Sequence, residues 1–359
     1  MPCTTSEAMQ AFVRSICVLW LCVVFILAAA ATAYAISYTV VDLGTLEEGN
    51  SILVRGLNNN GEAAGSSVSG RGHRGFVIGR GRIDRLATLP NGDHSVARSI
   101  NDAGEVVGSA NTLTSVRGVR ATRNGALQEL PPLPGDNASE AFSINTRGDA
   151  VGLSSGPTGV SAVLWSRNGA VQKLGVLAGW GSSRAFAIND GGDAVGTATL
   201  ASGRKHAVRW SRGTPIDLGT LPGDGDSEAF AINSAGDAVG ISIGARGTRA
   251  VLWRDGNVQD LGTLAGGNIS RALGINDRGD VVGSAAAGHD LHAFVWTSGG
   301  GIQDLNALIP VSSFILMEAV AVNARGVILA IGRDGSDDEA QHDHHAEFPV
   351  RVFLLEPKP

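Results

Sequence analysis

The chain is poor in several things that large or exported proteins use for stability. Its three cysteines, Cys3, Cys17 and Cys22, all lie within the first 22 of 359 residues. If that segment is removed as a leader, no thiol and no disulfide remains, and the core alone must hold the fold. Aromatic residues make up 5% of the chain and the formal charge is -6. A chain with that balance lacks the clustered basic surface that nucleic acid requires, so DNA and RNA are excluded as partners. Apolar residues do not recur at a 3.6-residue period over any stretch long enough for a stable helix. His-Glu-x-x-His and phosphate-loop patterns are absent as well. No catalytic residue or cofactor is therefore assigned, and the protein is read as a non-enzyme.

What the chain does have is glycine, 50 residues of it, and a repeat. Asn58, Asn101, Asn145, Asn189, Asn233, Asn276 and Asn323 each sit in a version of Ile-Asn-Asp-x-Gly-Asp-x-Val-Gly, at spacings of 43 or 44 residues until a last step of 47. Two further blocks keep the same period. One is an apolar run such as Ala162-Val163-Leu164-Trp165 or His292-Ala293-Phe294-Val295-Trp296; the other is Asp-Leu-Gly-Thr-Leu, at Asp42, Asp217 and Asp260 and in looser form elsewhere. A fixed period of this length decides the architecture before any local motif is considered.

Each repeat contains four short β-prone runs separated by glycine-bearing turns, the pattern of a small antiparallel sheet. In the fourth repeat these are a (185–189), b (193–198), c (206–210) and d (214–218). The Asn-x-x-Gly turn between a and b has a physical basis: the asparagine side chain bonds backbone N–H groups just ahead of it, and the glycine takes positive φ. The acids that follow the glycine, including Glu62, Glu105, Asp193 and Asp237, are expected to be solvated turn residues rather than a metal or catalytic ring. Strand a carries small residues two and four positions before the asparagine, which suits the crowded middle of a radial assembly. Phe142, Phe186 and Phe230 are placed with the following isoleucines on its other face.

The ends settle the closure. The chain after residue 35 opens on a d strand, Tyr38-Thr39-Val40-Val41-Asp42-Leu43, and stops on a c strand at Arg351 to Leu355. Two incomplete pieces make one repeat, as in a closed ring. The fold class predicted is all-β: a seven-bladed β-propeller of four-stranded antiparallel blades, with residues 36–46 completing the blade built from residues 311–355.

At this point the repeat resembles the HAF family of extracellular repeat proteins. The resemblance covers about Tyr38 to Leu355 and implies an exported bacterial β-repeat protein, with no activity, ligand or functional residue to carry over. The histidine of the naming motif is present at His206 and His292 but replaced by Arg74, Arg117, Ser161, Arg249 and Arg351, so it is not a shared catalytic group.

Export is also expected from the N-terminus. Arg14 precedes an uncharged apolar run from Ile16 to Ala31, and Ala33-Tyr34-Ala35 is a small-x-small site, so residues 1–35 are read as a signal peptide cleaved after Ala35. The alternative is an uncleaved anchor, since the run approaches the ~20 residues needed to span a bilayer. After cleavage, residues 36–359 form a single propeller domain, expected to be a monomer in the periplasm or outside the cell.

Candidate sites follow from the loops. An insertion at 333–349 places Asp337, Asp338, Glu339, His342, His344 and His345 together, residue types competent for a divalent metal. The alternative is a solvated tip. Asp224 and Asp226 resemble part of a calcium loop but lack the later bidentate glutamate, Glu228 coming too soon. Trp180, outside the repeat, is placed on a loop where it would stack on a sugar or pack over a neighbouring blade. The function expected is a binding or scaffold module that holds a protein or glycan partner on one face. The alternative is a glycan-acting lyase or hydrolase with an acidic site at the channel mouth.

Overall fold

A computed structural model describes residues 36–44, 52–69, 72–79, 81–288, 290–335 and 350–358. Residues 1–35, read above as a signal peptide, and the six metal-ligand candidates of the 333–349 insertion lie outside the described residues.

From Ser37 on, the chain forms seven four-stranded antiparallel sheets, each built from consecutive strands a to d except the last. Blade 4 is representative, with a at Trp180–Ile188, b at Ala194–Leu200, c at Lys205–Ser211 and d at Thr214–Asp217. In blade 7, strands a, b and c are Phe314–Val322, Ile328–Asp334 and Arg351–Pro357, and strand d is the N-terminal Tyr38–Gly44. Tyr38 pairs with Pro357 and Val40 with Leu355, antiparallel. Each a strand touches the a strand of the next blade, the last one touching the first, so the strands line a closed ring with a at its centre. The seven-bladed propeller predicted from the repeat is the fold. The one helical element assigned as such among the described residues is the 3-10 turn Leu305–Ala307, and no helix among them is long and apolar enough to cross a membrane.

Core clusters lie between blades rather than within them. One joins Val151 and Ala162 of blade 3 to Ala185, Ile188, Val208 and Trp210 of blade 4. Small buried residues make this contact possible: Ala141, Ala185, Ala229, Ala272 and Ala319 of strand a are fully buried, as are Ala162, Ala207, Ala250 and Ala293 of strand c. A serine at the start of strand a ties the blades through the backbone. Ser139, Ser183, Ser227 and Ser270 accept the N–H of Gly118, Ala162, Ala207 and Ala250 in strand c of the preceding blade, at 2.9 to 3.0 Å. Ser139 and Ser270 also end the sequences Asn137-Ala138-Ser139 and Asn268-Ile269-Ser270, and their burial explains why serine stands there.

The asparagines close an inner ring of hydrogen bonds. The Nδ2 group of Asn58 donates to the carbonyl of Asn101, Asn101 to Asn145, Asn145 to Asn189, Asn189 to Asn233, Asn233 to Asn276 and Asn276 to Asn323. Asn323 then donates to Asn58 at 3.1 Å, across the point where the chain's two ends meet. The Oδ1 atom meanwhile accepts the N–H four residues on, as from Asp193 at 2.9 Å. The turn glycine has positive φ, +88° at Gly192, as the turn chemistry requires.

The acids after that glycine are not merely solvated. Glu105 and Asp237 are buried. Glu62, Glu105, Asp237 and Asp280 accept the second Nδ2 hydrogen of their own asparagine. Arginines meet the same carboxylates, Arg167 on Glu105 at 3.1 Å and Arg254 on Asp237 at 2.7 Å. The His or Arg that opens the apolar block has a similar duty. It pairs with the acid of strand d in its own blade, as His206 with Asp217 at 3.0 Å, Arg249 with Asp260 at 3.1 Å, His292 with Asp304 at 2.7 Å and Arg351 with Asp42.

Candidate functional site: the central cavity

Strand a does not alternate cleanly. In all seven blades it carries a β-bulge between the positions four and two before the asparagine, for example between Ala185 and Ala187. A bulge inserts one unpaired residue and turns its side chain away from the regular pleat. The residue inserted is Arg55, Arg98, Phe142, Phe186, Phe230, Leu273 or Val320, and all seven line one cavity on the ring axis, of about 640 Å³. Expecting the phenylalanines to share a face with the isoleucines was therefore wrong. Ile144, Ile188 and Ile232 are buried in the core, whereas Phe142, Phe186 and Phe230 are half-buried around the cavity.

The bulge also explains the glycine that ends the repeat. A Cβ at Gly196 would fall on the carbonyl oxygen of Arg184, and the same holds at Gly152, Gly240 and Gly283. Glycine lets the bulged strand lie this close in the blades that carry it. Blade 7 has Ala330 at this position, and its inner strand carries a second register shift between Leu316 and Glu318. Glu318 joins the cavity lining there.

The lining divides by angle. Blades 3, 4 and 5 contribute the three phenylalanines, with ring centroids 5.7 Å apart from Phe142 to Phe186 and 6.0 Å from Phe186 to Phe230. Blades 1, 2 and 6 contribute Arg55, Arg98 and Arg271. Arg98 is committed: it pairs with Glu140 at 3.0 Å and lies 4.8 Å from the Phe142 ring centre. Burial pushes the Glu318 carboxyl above the usual carboxylate range, while Arg55, Arg271 and the Ser284 hydroxyl pull the other way.

The other end of the axis is narrower, a recess of about 250 Å³ among the asparagines and the residues that follow them. Three carboxylates stand at its rim, and each is used between blades. Asp102 accepts the N–H of Asn59 at 2.8 Å, Asp190 that of Thr146 at 2.9 Å and Asp277 that of Ser234 at 2.9 Å. Among the described residues no group of three or more His, Cys, Asp or Glu is arranged to hold a metal.

The loop candidates have structural partners. Asp224 accepts from the Ser242 hydroxyl at 2.7 Å, and Asp226 accepts the N–H of Lys205 at 2.7 Å. Trp180 opens the inner strand of blade 4, paired with Leu200, and its ring meets His206 edge-on at 5.8 Å. None of the three lines the cavity. Sequence reasoning missed the bulge position, although a signal for it exists: the repeats disagree in chemistry there, from arginine to phenylalanine to leucine, between two positions that are small in nearly every copy.

No protein-family model matches the chain, and no curated protein matches it by sequence. Solved structures do match in shape. A streptogramin B lyase has a TM-score of 0.52 at 11% identity, over 90% of this chain and 98% of that one. A catalytically inactive virginiamycin B lyase from Staphylococcus aureus with quinupristin has a TM-score of 0.51 at 13% identity, over 89% and 99%. The β-propeller domain of the trilobed protease from Pyrococcus furiosus has a TM-score of 0.57 at 8% identity, over 88% and 96%. At such identities the likeness is one of fold alone, and it is to propellers.

Proposed function

We propose that the protein is an exported, non-enzymatic binding module that docks a partner protein on the face where the inner strands begin. The observation that carries this is a grouping of six of the eleven exposed large apolar side chains among the described residues, the others being Ile36, Val41, Ile83, Val176 and Ile216. Leu53, Leu113, Val116, Ile269, Leu291 and Val311 are all exposed, Leu113 by 80% and Leu291 by 51%. All six lie at strand starts or in d-to-a and b-to-c connections, on the contiguous blades 6, 7, 1 and 2. Apolar residues gathered on one side of a rigid scaffold mark an interaction surface, and a protein suits them better than a glycan. Export is supported by the resemblance to extracellular repeat proteins and by the leader-like N-terminal sequence.

The test compares capture from the cell envelope by the wild-type protein, by a Leu113→Asp and Leu291→Asp double variant, and by Ile216→Asp, which alters an outer strand. A partner lost with the first variant and kept with the second is expected. Equal capture by all three would refute the docking face. A second reading, a glycan-acting hydrolase or lyase, is favoured only by Glu318, whose carboxyl at the cavity wall is shifted by burial toward the protonated form. It predicts new reducing or unsaturated ends from envelope polysaccharides, lost in Glu318→Gln.

A further inference from the structure

We propose that the central cavity binds a small organic anion, a carboxylate carried on a flat apolar body the size of one or two rings. This goes beyond the docking face, because the cavity lies inside the ring and its lining residues are not those of the apolar rim.

At about 640 Å³ the cavity falls within the range of small-molecule sites. One arc of its wall is aromatic and can receive a ring by offset or edge contact. The facing arc is cationic. Arg98 already has Glu140, but the Arg55 and Arg271 side chains make no hydrogen bond or ion pair with a described residue. They act on Glu318 only through space. Two guanidinium groups thus face one carboxyl whose ionisation burial already disfavours, which leaves positive charge to be met from outside. A guanidinium pairs best with a carboxylate, in two parallel hydrogen bonds.

The neutral polar groups narrow the choice further. Apart from the charged residues, only Ser99 and Ser143 bring side-chain hydrogen-bonding groups to the lining. A sugar would leave most of its hydroxyls unpaired there, which is costly. A ring bearing one carboxylate would leave none.

The test uses the full chain and isothermal titration with 2-naphthoate, its neutral counterpart 2-naphthamide, and a peptide ending in a free phenylalanine carboxylate. Saturable binding of 2-naphthoate is expected, weaker by about tenfold or more for the amide and in the Arg55→Gln, Arg271→Gln double variant. Phe186→Ala should weaken it too. Arg55 and Arg271 are exposed, so the double variant should fold and its circular dichroism should match the wild type even if Phe186→Ala fails. The proposal is overturned if 2-naphthoate does not bind, if the amide binds equally, or if the arginine variant binds as before. Binding of the peptide without 2-naphthoate overturns it as well, in favour of a protein terminus. None of these outcomes touches the docking face, which is tested at Leu113 and Leu291.

Discussion

At the scale of single residues, the repeat asparagine explains more of the molecule than any other side chain. Buried Asn189 satisfies the Asn233 carbonyl in the next blade and the Asp193 N–H in its own turn. Asn189→Ala orphans the Asp193 N–H and takes one of two donors from the Asn233 carbonyl, which keeps the Gly236 N–H at 3.1 Å; leaving a polar group unpaired there should cost about 1–3 kcal/mol, read as a lower midpoint in urea unfolding. A midpoint unchanged from wild type would show that water replaces the side chain. Glu318 makes a prediction of the opposite sign. Because burial raises its folded-state value above 4.5, the folded protein holds the proton more tightly than the unfolded chain does. Its contribution is therefore least unfavourable at low pH, and stability is lost as pH rises through the raised value. In Glu318→Gln that loss disappears. Thermal midpoints of variant and wild type should converge in acid and separate toward neutrality, with the variant higher; a gap independent of pH would rule the carboxyl out as the cause.

At the scale of the element, the bulged inner strand separates what packs from what recognises. Leu273 occupies the bulge of blade 6, and Arg55 and Arg98 show that the same position tolerates a long cation. Leu273→Arg should therefore change stability by no more than about 0.5 kcal/mol. Its neighbour Ala272 is fully buried between blades, so Ala272→Val should cost about 1–3 kcal/mol by overpacking. Chemical denaturation of the two variants would check the contrast, and equal losses would mean that the bulge residue is part of the core. The same strand marks how far sequence reading reaches. Strand number, order and closure were legible because seven copies of one period leave little else that buries every apolar block. The bulge was not, because an alternation argument assumes a period of two, and one inserted residue leaves Phe186 half-buried on the cavity wall while Ile188 is buried in the core cluster that borders it. Nor were the bonds from Ser183 and Asn189 to neighbouring blades, since their partners are backbone atoms that no side-chain pattern records. The cavity's character was present only as disagreement among repeats, at the bulge and at the position two before it that supplies Arg271 and Glu318, visible once the pleat is known to break there.

At the scale of the whole molecule, stability rests on the last sheet, the only one assembled from both ends of the chain. Tyr38–Gly44 pairs with Arg351–Pro357, Arg351 reaches Asp42, and the Tyr38 N–H donates to the Leu308 carbonyl at 3.0 Å. Removing residues 36–44 would leave strand c of blade 7 as an open edge beside exposed apolar side chains. A cooperative loss of the entire ring is expected, with aggregation, rather than fraying of one blade. Tyr38 reports on this closure directly. Its ring is buried, and burial, with the Asp280 carboxylate adding to it against a smaller opposing effect of Arg278, pushes the phenol up to about 12. In a chain beginning at Ile36, Tyr38 is the sole tyrosine. The folded state disfavours its phenolate, so stability linked to this group is complete below the ordinary value of 10.0 and is lost as pH climbs toward 12. Absorbance of the folded protein at the tyrosinate band should therefore stay flat through pH 10 and rise only near 12 or at unfolding, whichever comes first. The urea-unfolded chain should titrate at the ordinary value. A folded protein that titrates near 10 would place Tyr38 in water, and with it the strand that closes the ring.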